Sequence, residues 1–125
     1  MEQNYKGSNR KYLAAAINCG AVLADKEQNL REQCALVKEA AEKGAKLIAL
    51  PEMSTTGYCW YSREEIAPFV ETIPGPTTDR FAAIAAAYQC WIVVGMAEVD
   101  ARTGVYYNAA VLIGPEGVVG VHRKT

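Results

Sequence analysis

The stretch KLIALPEMSTTGY at residues 46–58 contains the strongest structural signal of the chain. Its apolar part, residues 46–50, has the length and composition of a buried β-strand. Pro51 ends this strand, because proline has no backbone N–H to give to a sheet ladder. Residues 52–61 are therefore predicted to form a loop, and that loop begins with the carboxylate of Glu52.

The sequence before this strand predicts a βαβ unit. Asp25 can cap the first turn of a helix, and Leu30, Cys34, Val37 and Ala41 follow at helical spacing. Gly44 can end that helix in a left-handed turn. Residues 11–18 form an earlier apolar run, predicted to be a buried strand parallel to residues 46–50. Ligands of open α/β sheets bind beyond the carboxyl ends of such strands, which is where Glu52 lies.

The second half of the sequence predicts one more helix and an antiparallel meander. A Pro74-Gly75-Pro76 connector leads to the helix, which we expect Thr77 or Thr78 to cap. Three further strands are predicted, at residues 91–99, 105–113 and 118–124. A flavodoxin-like binding domain is the alternative α/β fold, but it requires parallel βαβ units to the end and a phosphate-binding glycine loop. The meander and residues 18–21 do not supply these features.

Composition limits the possible functions. The chain has 125 residues, half of them hydrophobic, which predicts one folded domain at 11–125 after a polar, flexible arm at 1–10. A net charge of -1 gives no electrostatic reason to expect nucleic acid or an anionic membrane as partner. Four unevenly spaced cysteines and one histidine predict reduced thiols in a cytoplasmic protein, with no metal site and no cofactor.

Three stretches together resemble the nitrilase superfamily of carbon–nitrogen hydrolases. Residues 47–58 are similar to its apolar strand that runs into Pro-Glu and then Gly-Tyr. The run YNAAVLIGPEGVVG, from Tyr107, is similar to its hairpin with a Pro-x-Gly turn. VHRKT at residues 121–125 is similar to its strand that ends in a basic residue and lysine. The likeness covers nearly all of the chain from Tyr12 onward.

This resemblance implies half of an α-β-β-α sandwich, a mixed sheet with two main helices on one face. It also implies hydrolysis of an amide, nitrile or N-carbamoyl group of a small molecule by a Cys-Glu-Lys mechanism. Glu52 matches the general base, and Lys124 matches the residue that stabilises the tetrahedral intermediate. No cysteine matches the nucleophile. Cys59 follows Glu52 in the same loop rather than at a strand-to-helix elbow, so it is set aside.

Four further residues are candidates for the substrate pocket. Tyr58 and Trp60 could line it, although aromatic packing is an equal alternative. Glu98 could be a polar contact near the site or a solvent-facing strand residue. Asn108 could touch substrate, but a bond from its side chain to a nearby backbone group is the favoured interpretation. His122 is expected to be structural.

Half a sandwich leaves one apolar sheet face without a cover, which a monomer rarely tolerates. We therefore expect the chain to pair with a second copy or to be completed by a C-terminal half that carries the cysteine. The alternative is a catalytically inactive, truncated family member that acts as an assembly or interaction module.

Overall fold

The computed structural model describes residues 10–125, so the predicted N-terminal arm, apart from Arg10, lies outside the described residues. Five strands form one mixed sheet in the order β1-β2-β3-β4-β5. The strands span Leu13–Ala16, Ala45–Ala49, Trp91–Val99, Tyr106–Gly114 and Gly117–Arg123, and the helices are α1 (Lys26–Glu42), α2 (Arg63–Ile66) and α3 (Pro76–Tyr88).

The predicted topology is confirmed. β1, β2 and β3 are parallel, and β3, β4 and β5 are antiparallel. α1 and α3 contact each other and pack on the same face of the sheet, α1 against β2 and α3 against β4. The core lies between these helices and the sheet, and its largest fully buried side chains are Phe81, Ile48, Ile92 and Met96. The molecule is therefore a layer of helices on one sheet face.

The other sheet face, here called the open face, is only partly covered. Along β4 the buried residues Ala109, Val111 and Ile113 alternate with half-buried residues on the opposite face, Ala110 and Leu112 among them. Glycine and alanine are frequent on the open face, so it is shallow and mostly apolar. This is the uncovered face that half of a sandwich predicts.

The strand at residues 11–18 differs from its prediction. β1 is only four residues long, and Leu13 is 54% exposed. Within residues 10–125 it lies at the edge of the sheet, where only β2 pairs with it. The prediction of a buried strand was wrong because an apolar run does not reveal whether a second neighbour covers it.

The start of α3 also differs. Gly75 is the N-cap and Pro76 the first helical residue, so neither threonine caps the helix. Both threonines lie buried inside the first turn, and the Gly75 N–H donates to the hydroxyl of Thr78. Proline is favoured at the first helical position because the N–H it lacks would have no helical partner there. This preference outweighs the capping ability of the threonines.

The connector between β2 and α3 contains two elements that were not predicted. α2 begins after Ser62, whose hydroxyl accepts from the Glu65 N–H, and a 3-10 turn covers Ala67–Phe69.

In the part of the chain that the structure describes, no helix has both the length and the apolar character needed to cross a bilayer. Over the same residues, His, Cys, Asp and Glu side chains form no group of three that could hold a metal ion.

Candidate active site

The loop that follows β2 crosses directly over β3 at Gly95. A Cβ atom added to Gly95 would lie 2.3 Å from the Pro51 carbonyl oxygen and 2.9 Å from the Glu52 Cα. Only a residue without a side chain allows so close an approach of two backbones. Gly95 therefore sets how closely the backbone of Glu52 lies on the sheet.

Two buried amides on α1 hold the rest of this loop. The Gln33 side chain donates to the Ser54 carbonyl at 2.6 Å and accepts from the Ser54 hydroxyl. The Asn29 side chain donates to the Thr55 carbonyl at 3.1 Å and to Val22. Both amides are at most 2% exposed. The sequence interpretation missed them, although two amides four positions apart on one helix side are a visible signal of a polar anchor.

Lys124 reaches the same loop from the far end of the chain. It directly follows β5, and its backbone N–H donates to the Asn108 carbonyl at 2.8 Å. Its Nζ lies 2.9 Å from Glu52 Oε1, although 72 positions separate the two residues. The two predicted catalytic groups are thus in direct contact at one edge of the sheet.

Asn108 is the third member of this group. Its Nδ2 donates to the same Glu52 Oε1 at 2.8 Å. One carboxylate oxygen therefore accepts from both an amide and an ammonium group. The contact joins two side chains, whereas the favoured sequence interpretation was a bond to a nearby backbone group.

The electrostatics of the pair follow from these bonds. The Lys124 ammonium, and after it the Asn108 amide, lower the pKa of Glu52, because both stabilise the carboxylate form. The bond to Glu52 raises the pKa of Lys124 in return. Both side chains are about half exposed or more, 48% for Glu52 and 64% for Lys124, so water weakens the attraction. At neutral pH the site holds a carboxylate beside an ammonium.

Two depressions meet at Glu52. The first, of about 290 Å³, lies on the open face, and Glu52, Asn108 and Lys124 line it together with His122 and small apolar residues of β3 and β4. The second, of about 420 Å³, lies beyond the ends of β1 and β2, and its lining includes Glu52, Tyr58, Cys19 and Cys59. The first has the charge arrangement that can accept a proton and hold an oxyanion.

The remaining predicted pocket residues lie at different distances from this centre. Tyr58 lines the second depression and is 68% exposed. The indole N–H of Trp60 donates to the Gly57 carbonyl, and its ring packs against Phe69, so it contacts its own loop and connector. Glu98 is only 4% exposed and forms an ion pair with Arg123. Of the four, Asn108 alone is hydrogen-bonded to Glu52.

The cysteines differ in how suitable they are as nucleophiles. Burial raises the pKa of the Cys19, Cys34 and Cys90 thiols, which disfavours the reactive thiolate. Cys59 is exposed and lines the second depression. Over the described residues, no cysteine lines the depression that contains both Asn108 and Lys124.

Known proteins are similar to this chain in sequence and in fold. The family model described as carbon-nitrogen hydrolase matches residues 13–125. A nitrilase of Pyrococcus abyssi is 37% identical over 111 residues, which are 88% of this chain and 42% of that protein. The omega-amidase NIT2 of Xenopus tropicalis is 37% identical over 101 residues, 79% of this chain and 35% of that protein. The chain thus spans less than half the length of these relatives.

Solved structures show the same fold. A crystal structure of an N-terminal amidase superposes with a TM-score of 0.79 at 24% identity, covering 90% of this chain and 28% of that one. A carbon–nitrogen hydrolase of Helicobacter pylori superposes with a TM-score of 0.74 at 21% identity, covering 90% and 39%. The layer of helices on a five-stranded mixed sheet is a recurring part of these larger structures.

Proposed function

Because this chain belongs to the carbon–nitrogen hydrolase family, we propose that Glu52 and Lys124 are two catalytic groups of a hydrolase that cleaves non-peptide carbon–nitrogen bonds. The observation that carries the proposal is the contact of Lys124 Nζ with Glu52 Oε1 at 2.9 Å. Two groups so far apart in sequence meet beside a depression on a mostly apolar sheet face. The substrate class is a small nitrile, amide or N-carbamoyl compound, in keeping with relatives named nitrilase and omega-amidase.

The proposed chemistry divides three tasks among three groups. A cysteine thiol gives its proton to Glu52, and the thiolate attacks the substrate carbon. The ammonium group of Lys124 stabilises the negative charge that develops on the substrate oxygen or nitrogen. With an amide substrate, Glu52 then returns the proton to the nitrogen of the tetrahedral intermediate, the carbon–nitrogen bond breaks, and ammonia departs, which leaves a thioester on the cysteine. The same carboxylate activates the water that hydrolyses this thioester.

Asn108 has a supporting role in this proposal. Its amide fixes one oxygen of Glu52, which leaves the other oxygen for the thiol or the water. A carboxylate held in one orientation loses less freedom when the proton is transferred. Asn108 therefore orients the base and takes no part in the bond changes.

The cysteine nucleophile is proposed to come from outside these 125 residues. The depression that contains Lys124 has no cysteine in its lining, and three of the four thiols are held in the protonated form by burial. Tyr58 is proposed to contact substrate from the second depression, which Glu52 shares. Either a further part of the protein or a second copy would cover the open face and exclude water from Glu52.

The alternative is a catalytically inactive family member that acts as an assembly module. The absence of a cysteine from the lining of the first depression favours it. On that alternative the Glu52–Lys124 pair is a surface ion pair with little effect on any activity. The two proposals differ in what they predict for ammonia release.

Ammonia release from a nitrile, an omega-amide and an N-carbamoyl amino acid distinguishes them. The product of the complete gene that encodes this chain is compared with the 125-residue chain alone. The proposal predicts turnover of at least one substrate by the complete product, none by the chain alone, and loss of turnover in Lys124→Gln. The control is Lys43→Gln, which breaks an exposed pair with Glu39 of similar length, 2.8 Å. Absence of turnover on all three substrates supports the assembly module. Turnover by the chain alone that Cys59→Ser abolishes would make Cys59 the nucleophile.

A further inference from the structure

β5 is an edge strand whose central side chains, at residues 119–122, do little to fix its register. Among the strands that the structure describes, only β4 pairs with it, and residues 119–122 are all exposed. Val119 is 62% exposed and Val121 42%, and Gly120 has no side chain to bury. A strand whose side chains are not buried is weakly specified in register, and a slip of one residue turns every side chain to the opposite face.

The register of β5 changes at a bulge. Gly114 pairs with Gly117 and Ile113 with Val118, but the next pair is Leu112 with Gly120. Val119 is therefore the extra residue. Bulges of this kind redirect side chains and are frequent beside active sites.

The bulge decides on which face Lys124 lies. In the observed register Arg123 stands opposite Ala109, whose side chain is on the helix-covered face. Lys124, the next residue, projects to the open face, where it meets Glu52. If Val119 paired with Leu112 in a regular ladder, the register of the Ile113–Val118 pair would continue, and Arg123 would stand opposite Asn108. Lys124 would then project to the wrong face.

An ion cluster on the opposite face joins β5 to β3. The Arg123 guanidinium donates to both oxygens of Glu98, at 2.6 and 2.8 Å, and to Asp100 at 2.9 Å. It also lies over the ring of Tyr107 at 4.1 Å. Glu98 belongs to β3, so the cluster spans β4 and ties β5 to the centre of the sheet. A bidentate pair between a guanidinium and a buried carboxylate has a fixed geometry that a slipped strand cannot form.

We infer that the bulge at Val119 and the Glu98–Arg123–Asp100 cluster together form a register lock, which makes Glu98 and Arg123 positioning residues for Lys124. This inference rests on the proposed function, because it explains how Lys124 reaches Glu52. Glu98 thus serves the site from the opposite face of the sheet and does not contact substrate.

The test uses the 125-residue chain and a readout that needs no turnover. The titration of the Glu52 carboxyl carbon is followed by NMR, together with hydrogen exchange of the Lys124 amide. The main variant is the double substitution Glu98→Met/Arg123→Met, which removes one charge of each sign and keeps the buried volume. Such a replacement of an ion pair by apolar residues is often neutral or favourable for stability. The matched control, Glu27→Met/Arg80→Met, removes an ion pair of 3.0 Å between α1 and α3.

If the register lock exists, the pKa of Glu52 in the double variant should rise toward the pKa that Glu52 has in the Lys124→Gln variant. Hydrogen exchange of the Lys124 amide should become faster by about tenfold or more. Arg123→Lys, which cannot form two parallel bonds, should give an intermediate result. The control should match the wild type in both measurements. Wild-type values in the double variant would overturn the lock. If Lys124→Gln itself leaves the titration of Glu52 unchanged, the contact between Lys124 and Glu52 is refuted, and with it the observation on which the proposed function rests.

Discussion

The backbone of Glu52 lies so close to β3 that a single methyl group on Gly95 should displace it. In Gly95→Ala the new carbon would lie 2.3 Å from the Pro51 oxygen and 2.7 Å from the Met53 nitrogen. All the contacted atoms are backbone, so no side chain can rotate away. To restore ordinary contact, the loop would have to retreat by about 1 Å.

A shift of that size is enough to disturb the site. Glu52 Oε1 is bonded to Asn108 at 2.8 Å and to Lys124 at 2.9 Å, and a retreat of about 1 Å takes both distances beyond the range of a hydrogen bond. Misplacement of a catalytic group by about 1 Å can cost about 10²-fold in rate. The overpacking itself should destabilise the fold by about 1–3 kcal/mol.

Gly120→Ala is the matched control, because a Cβ at Gly120 has no heavy atom within 4 Å. Urea unfolding of the two variants measures the stability term. Turnover by the complete gene product, at temperatures where both variants are folded, measures the loss at the site. Equal stability and equal turnover in Gly95→Ala and Gly120→Ala would refute the claim that Gly95 sets the position of Glu52.

Three further predictions concern the surroundings of the site. Gln33→Leu leaves the buried Ser54 carbonyl without its partner, so we expect the free energy of unfolding, measured in urea, to fall by about 1–3 kcal/mol. The control is Gln28→Leu, which removes an exposed side-chain bond to Glu32 and should change this free energy far less. Asp100 has its pKa lowered from 3.8 to about 2 by the Thr103 and Arg102 N–H groups and then by Arg123. Its ionised form therefore stabilises the fold above pH 3.8, and this contribution is lost as the pH falls through about 2. The free energy of unfolding, measured as the pH is lowered, should show this loss in the wild type and not in Asp100→Asn. Cys59→Ser should leave turnover by the complete gene product unchanged, and a loss of activity would show that the Cys59 thiol takes part in the chemistry.

Local sequence signals were sufficient for most of the fold. The capping aspartate, the apolar stripe and Gly44 predicted α1 closely, because each acts within one or two turns of chain. The structure bears this out, with Asp25 as the N-cap and its side chain accepting from Gln28. The same kind of signal was overlooked at Ser62 and Glu65, three positions apart, where α2 begins.

Burial and register could not be predicted in the same way. Whether β1 is buried depends on what pairs with its free edge, which no residue of the strand encodes. The contact of Glu98 with Arg123 depends on the bulge at Val119, since a slip of one residue in the register of β5 exchanges the two faces. The catalytic roles of Glu52 and Lys124 were predicted only through the family resemblance, because spacing along the chain does not tell which two side chains form a contact across the sheet.

The most direct test of the account is the turnover of Glu52→Gln against Glu39→Gln in the complete gene product. Glu39 is an exposed glutamate whose carboxylate pairs with a lysine at 2.8 Å. Glu39→Gln therefore removes the same charge as Glu52→Gln, but at a place outside the proposed active site. We predict that kcat falls by about 10²-fold or more in Glu52→Gln, as for loss of a general base, and stays at the wild-type value in Glu39→Gln. Equal kcat values in the two variants would contradict a catalytic role for the carboxylate at the edge of the sheet.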